Sequence, residues 1–409
     1  MKNKPQFVAG LELGERHFIM AVGHRDEQGR IVVQAADLIP AQGIERGVLT
    51  DPVECSDAVA RLARKVEAVL GTRVPKVLVA VHGNHLKSYN SNSSIPIPDP
   101  GVGISPRDVE KAITTCRTLS LDYDRQVLHT FRRGFAVDGQ SGIKDPVGLY
   151  GTKLSVELHM VTALNLAMQN LVRVLNRAGL EVQEFMLPSL ACAEAVLSEL
   201  DQDLGVTLIR IGVLQSEAIL FADGGVKETF LVPWGTEHLA ESLSRALKMP
   251  RVSVEQLLGQ IRGVEDRPEW SAVPLQVRAG TLVRNFPHGQ VTHLLTARAK
   301  EFFTRLRQRL DSSPYFQESA AGVVMVGPLT RLEGFLEMAE SFLNTPVRMG
   351  TAREVEVNPQ VTLNSMHSTA VGLIRHALKG QEMASNNHRA GSPLVRWVEK
   401  TRKVLEDYF

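Results

Sequence analysis

Residues 206–221, VTLIRIGVLQSEAILF, have the frame of a phosphate-binding turn without its chemistry. The run reads as a strand, a tight turn at Gly212 and a returning strand. Residues 8–23, VAGLELGERHFIMAVG, repeat the plan around Gly14, which suggests two related halves facing a cleft. Turns of this kind aim backbone N–H groups at phosphate, and neighbouring acids hold Mg²⁺ through water. The second turn has Arg210, Val213, Leu214 and Gln215 where that chemistry wants an acid, two glycines and a threonine. The frame is kept and the ligand groups are replaced.

Other reactive side chains are scattered. Cys55, Cys116 and Cys192 stand apart without a CxxC pair, and read as small buried thiols of a reducing compartment. His82, His85, His129 and His159 recur at strand spacing with no partner four residues on, so no metal site is expected. Across 409 residues, 46 Lys and Arg meet 45 Asp and Glu, so no global field favours nucleic acid. The start, MKNKPQF, has no signal-peptide core. No stretch approaches the ~18 unbroken apolar residues of a spanning helix, so a cytosolic protein is expected.

The length implies two to four subdomains, and strand and helix signals alternate throughout. The first hairpin leads to a helix over 52–70, with Val59, Leu62, Val66 and Leu70 at helical spacing and Gly71 at its end. A strand is expected at 76–82. The stretch 84–163 differs in texture: a Ser/Asn-rich strand, a helix opened by Ser105-Pro106-Arg107-Asp108, and two long strands. It reads as a small α+β insertion. Helices are expected at 165–178 and 188–200, mostly helix over 237–310 with an interruption at 262–276, strands at 323–326 and 346–350, and a helix at 368–378.

The block HTFRRGFAVDGQSGIKDPVGLYGTKLSVELHMVT at 129–162 resembles the signature segment of FtsA, the actin-like bacterial cell-division family. GIERGVLTD (43–51), RAGLEVQEFMLPSLACAEAVL (177–197), RLEGF, PVRMG and STAVGL are similar to FtsA segments in the same order, so the resemblance covers 8–378. It implies an α/β, two-lobed actin-like (ribonuclease H-like) fold with an inserted α+β 1C subdomain of SHS2 type and a C-terminal amphipathic helix. The implied division is subdomain 1A at 1–83, 1C at 84–163, a return to 1A at 164–203, and a second lobe at 204–378 with 2B at about 237–312. A flexible linker at 379–393 and a membrane-targeting helix at 394–409 complete it. The resemblance further implies ATP with Mg²⁺ as cofactor and self-association into filaments. Its implied partners are the FtsZ C-terminal peptide and other division proteins through 1C. Its implied place is the cytoplasmic face of the inner membrane at the division site.

The family's three nucleotide loops fall on altered residues. In the first, Glu12-Leu13-Gly14 matches an acidic-x-Gly core, but Glu15 stands where a hydroxyl residue is expected. In the second, the family's Asp-Ile-Gly-Gly-Gly-Thr-x-Asp is here Arg210-Ile211-Gly212-Val213-Leu214-Gln215-Ser216-Glu217. Arg210 cannot coordinate Mg²⁺, and Val213 and Leu214 disfavour glycine-like angles while filling phosphate space. In the third, Gly327-Pro328 replaces paired glycines, and proline removes an N–H. Glu255 is kept, whereas the lysine expected in the same helix is Leu258. With these changes the resemblance implies a scaffold without ATP hydrolysis or a nucleotide cofactor. Buried opposite charges seek each other, so Arg210 is expected to pair with Glu12 in place of Mg-ATP.

The last residues, SPLVRWVEKTRKVLEDYF, form an amphipathic pattern. Leu394, Trp397, Val398, Val404, Leu405, Tyr408 and Phe409 fall on one arc of roughly 140°. Charged residues lie opposite and nearly cancel, so apolar insertion must dominate any membrane binding. Arg298, in the basic cluster of the helix over 291–310, matches a basic position of the family's FtsZ-peptide region. Two other functions use the same frame. One is a PilM-like adaptor gripping a short peptide of an inner-membrane protein, which the amphipathic tail argues against. The other is a nucleotide-using protein, either an ATP-binding FtsA with a drifted nucleotide site or an active ATPase or sugar kinase, which Arg210 argues against.

Overall fold

The computed structural model describes residues 6–264, 270, 274–279 and 282–387; the expected membrane helix at 394–409, with Leu394, Trp397, Val398, Val404, Leu405, Tyr408 and Phe409, lies outside the described residues. The chain forms two compact units. One comprises residues up to 197, 225–229 and those from 352 on; the other comprises 198–224 and 230–351.

The first unit is built on a six-stranded sheet in the order β11 (Val182–Met186), β6 (Val77–Val81), β1 (Val8–Leu13), β2 (His17–Arg25), β3 (Ile31–Pro40) and β19 (Val355–Val357). A short hairpin, β4 (Ile44–Glu45) and β5 (Val48–Leu49), follows β3. Alternation along the strands sends Leu11, Leu13, Phe18, Met20 and Val22 toward the helices Pro52–Leu70 and Asn165–Arg177, where Val59, Leu62, Val66, Leu171 and Leu175 complete a core. The opposite face of β1 meets helix Ser368–Asn387 so closely that a Cβ on Gly10 would lie 2.5 Å from the Ala370 carbonyl oxygen. Burial on both faces explains why these strands read as nearly unbroken apolar runs.

Residues 86–164 add a four-stranded antiparallel sheet in the order β7 (Leu86–Pro96), β10 (Lys153–Leu164), β8 (Arg125–Val137) and β9 (Gln140–Ile143). Helix Pro106–Leu119 covers one face, and Ile113 and Cys116 pack on Leu154, Val156, Leu158 and Met160. The capping box expected at Ser105 is formed: Asp108 N donates to Ser105 Oγ and Ser105 N donates to Asp108 Oδ2 at 2.9 Å.

The second unit carries a sheet in the order β18 (Val347–Met349), β17 (Val323–Val326), β12 (Val206–Ile211), β13 (Ser216–Ala222) and the 230–232 end of β14 (Gly225–Val232). β12 and β13 are an antiparallel hairpin, and β17 and β18 run parallel to β12. The order β11-β6-β1-β2-β3 of the first sheet is the same plan, so the repeat suggested by the two hairpins extends to whole half-sheets. Trp234, Phe302, Phe303 and Phe335 centre the core beneath, with helices Thr236–Leu247, His288–Asp311 and Phe335–Leu343.

Four expectations differ from the structure. The second half ends near residue 351, not 378, because β19 pairs parallel with β3 and helix Ser368–Asn387 packs on β1, β2 and β6. That helix continues to Asn387 through the expected linker, where Gln, Glu, Met and Ala sustain it despite Gly380. The helix expected at 188–200 is two, Pro188–Val196 and Glu199–Leu204, since Ser198 leaves helical geometry to cap the second with Asp201. Within the interruption and the segment read as mostly helical lies a hairpin, β15 (Leu275–Ala279) and β16 (Leu282–Phe286), whose Leu275, Val277 and Phe286 are buried.

Candidate functional site

The second turn is closed and tied to the next helix. Gly212 is required by space: a Cβ there would lie 2.4 Å from the Gln215 carbonyl oxygen. The carbonyls of Gly212 and Val213 accept the first amides of helix Thr236–Leu247, from Thr236 at 3.0 Å and Glu237 at 2.8 Å. A helix N-terminus attracts anions because its first N–H groups lack partners, and here the turn takes two of them. Gly235 permits this contact, since its Cβ would lie 2.2 Å from the Val213 carbonyl oxygen. Ser216 Oγ donates to the Trp234 carbonyl at 2.8 Å, and Gly235 N donates to His238 Nδ1 at 3.1 Å. The side chains of Val213 and Leu214 are half-buried. Gln215 is buried, and its Nε2 has no hydrogen-bond partner among the described residues.

Arg210 and Glu217 are register partners across this hairpin, and Arg210 Nη1 lies 3.7 Å from Glu217 Oε1. Glu217 is almost wholly buried, so the guanidinium supplies the charge its carboxylate needs. In the first unit, Glu12 is also buried, and its Oε1 lies 3.0 Å from His82 Nε2. The pairing expected between Glu12 and Arg210 joins residues of different units. Within the units, the carboxylate of Glu12 has His82 and the guanidinium of Arg210 has Glu217.

The first turn repeats the closure of the second: a Cβ on Gly14 would lie 2.6 Å from the His17 carbonyl oxygen, and Glu15 is half-exposed. In the third loop, Gly327 has φ +137 and passes so near Ile211 that a Cβ would lie 2.6 Å from its carbonyl oxygen. Pro328 opens the 3₁₀ turn Pro328–Arg331, a first-turn position where its missing N–H costs nothing. Thr330 Oγ1 donates to the Gly327 carbonyl at 2.8 Å. Leu258 packs on the core at the end of helix Arg251–Leu258, and Glu255 is exposed.

His82, His85, His129 and His159 are all buried, and the last three are held neutral. Burial, with Arg125 and His82 nearby, lowers His85 to about 4. Burial and the His376 charge lower His129 to about 3, and burial with Arg133 lowers His159 to about 4. His129 Nε2 accepts the Leu187 amide at 2.9 Å, and His159 bridges Asn90 Oδ1 at 2.7 Å and Thr229 Oγ1 at 2.8 Å. Sequence reasoning missed Arg125. It is buried, and its Nη2 donates to the carbonyls of His85 at 2.7 Å and Thr162 at 2.9 Å, pinning the entry of the inserted sheet. Beside it, GIERGVLTD crosses the loop after β6 at two glycines, where a Cβ on Gly47 would lie 2.6 Å from Gly83 Cα. Arg298, half-exposed on helix His288–Asp311, pairs with Glu301 at 2.7 Å, and Arg305 pairs with the same carboxylate at 2.6 Å. The basic cluster is thus partly neutralised within its own helix.

Residues 83–162 match the family model for the SHS2 domain inserted in FtsA. FtsA of Pseudomonas aeruginosa is 27% identical, with the match spanning 99% of this chain and 98% of that protein. FtsA of Escherichia coli K12 is 25% identical over 99% and 98%. Among solved structures, the PilM-PilN type IV pilus biogenesis complex superposes with a TM-score of 0.65 at 13% identity, over 91% of this chain and 98% of that one. MreB5 of Spiroplasma citri bound to ADP gives 0.56 at 8% identity, over 94% and 99%. These two share the fold, an actin-like one. Among the described residues, no helix is long and apolar enough to cross a membrane. The similarity to FtsA cell-division proteins thus runs over the whole length of this chain, and its insert matches their SHS2 domain.

Proposed function

We propose that the chain is an FtsA-type division scaffold that self-associates and tethers FtsZ filaments to the cytoplasmic face of the inner membrane without hydrolysing ATP. The nucleotide-free part rests on the second turn. A phosphate with Mg²⁺ wants inward amides, an acid and open space. The turn instead offers carbonyls bonded to the next helix, a guanidinium paired with Glu217, and the half-buried side chains of Val213 and Leu214. The residues present do not fit that group, and no step of the mechanism passes through it. Membrane attachment rests on the sequence pattern of 394–409. A single such helix binds a bilayer weakly, and an assembly presenting many of them gains by effective concentration.

Capture on an immobilised FtsZ C-terminal peptide tests the partner. The intact chain is expected to bind and Arg298→Glu to bind several-fold less; no capture of the intact chain contradicts the tether. Co-sedimentation with liposomes tests the anchor. A chain ending at Arg389 is expected to stay in the supernatant, and its pelleting with lipid contradicts a membrane role for the tail.

A further inference from the structure

The helix Ser368–Asn387 is held in two different ways along its length. Its inner part is fixed by packing: a Cβ on Gly372 would lie 1.7 Å from the Ala191 carbonyl oxygen, and Leu373, Ile374, Ala377 and Leu378 are buried. Beside the last of that packing, charged contacts join it. His376 Nε2 lies 3.9 Å from Glu184 Oε2 on β11, and its Nδ1 lies 3.8 Å from Glu194 Oε1 on helix Pro188–Val196. Lys379 Nζ donates to Glu194 Oε2 at 2.8 Å. His129 on β8 also faces the ring. On the same helix, Arg375 faces Glu354 at 3.8 Å. On the strands beneath, Arg25 of β2 acts on Arg375 and Glu12 of β1 acts on His367, away from the ring.

We propose that His376, set between Glu184 and Glu194, is a proton-dependent latch that fixes the outer half of helix Ser368–Asn387 to its unit. With the ring charged, His376 and Lys379 balance the two carboxylates. With the ring neutral, the two carboxylates keep only Lys379 and the longer-range charge of Arg375 in a partly dry site. This helix is the last described element before residues 388–409, so the latch sets how firmly the departure point of that segment is held.

The electrostatics agree in sign. Burial opposes charge on the His376 ring, but Glu194 and Glu184 outweigh burial and the repulsion of Lys379, and its pKa stands above the ordinary value. Burial raises Glu184 against the pull of His376. Glu194, although buried, is drawn down to about 2 by His376 and Lys379. His129 stays neutral and does not compete, since its Nε2 is taken by the Leu187 amide. A raised histidine pKa contributes stability that is full below the ordinary value and is lost as pH rises through the folded-state value. The Glu194 contribution fails only in acid, toward about 2, well outside that window.

Hydrogen exchange of the full chain tests this, read as protection of amides 376–387 relative to their intrinsic rates at about pH 6 and about pH 8.5. Protection is expected to fall with rising pH, about tenfold for each unit by which the folded-state pKa is raised. His376→Gln is expected to abolish the pH dependence and Glu194→Gln to reduce it. Unchanged wild-type protection, or an undiminished fall in His376→Gln, overturns the latch. An NMR titration of the wild-type ring provides a check that needs no variant: a pKa below the ordinary histidine value overturns it equally.

Discussion

At the scale of single residues, Arg210 changes meaning between sequence and structure. The sequence shows a cation where a metal-holding acid is expected, and the structure shows what that cation serves: the buried carboxylate of Glu217 across the hairpin. Arg210→Ala removes that partner and is expected to destabilise the chain by about 3 kcal/mol in urea denaturation. A double-mutant cycle with Glu217→Ala is expected to show coupling; strict additivity would mean the pair contributes nothing. Gln215 makes a contrasting case. Its buried Nε2 lacks a hydrogen-bond partner among the described residues, so Gln215→Leu is expected to be neutral or stabilising by about 1 kcal/mol. A clear loss of stability would reveal an acceptor for that amide. The histidines set acid sensitivity. His85, His129 and His159 have folded-state values of about 4, 3 and 4, so the unfolded chain binds more protons below the ordinary value. Stability is then expected to fall with pH from about 6.5 downward, by up to about 1.4 kcal/mol per pH unit for each histidine. Urea midpoints that stay level between about pH 7 and pH 5 would contradict this. None of these contacts was legible in the sequence, because each depends on strand register or on packing between segments distant in the chain.

At the scale of elements, local signals carried furthest where the chemistry is local. The helix Pro52–Leu70 is bounded as its Asp51, Pro52 and Gly71 require, with Gly71 at φ 73. The Ser105–Asp108 box likewise starts helix Pro106–Leu119 where its residues place it. Expectations failed where tertiary packing decides. The β15–β16 hairpin sits in a segment whose helical and strand patterns compete, and burial of Leu275, Val277 and Phe286 selects the strands. The placement of β19 in the first sheet is a long-range pairing that no local pattern announces. Helix Ser368–Asn387 is the element most exposed to a single change. Gly372→Ala puts a methyl group into the Ala191 carbonyl, so the two helices must separate. A loss of at least about 2 kcal/mol is expected, seen as a lowered melting temperature. An unchanged melting temperature would show that the close contact is not needed.

At the scale of the whole molecule, the two half-sheets with the same strand order and the inserted SHS2 sheet give the FtsA-like frame. That frame was readable from the sequence because its motifs are contiguous: the signature block at 129–162 falls on β8, β9 and β10 of the insert. In the sequence, the proposed loss of nucleotide chemistry rests on a set of changed residues. To these the structure adds a second turn whose carbonyls are bonded to the next helix and a Pro328 that fits a 3₁₀ start. Under the proposed function, assembly depends on partner and membrane and not on nucleotide. Binding of Mg-ATP by the intact chain is the most direct test, because any ligand of the folded state raises its melting temperature through linkage. With Mg-ATP at about 1 mM, roughly a hundredfold above the dissociation constant of a site of about 10 μM, no shift is expected; a rise of several degrees would contradict the proposed function.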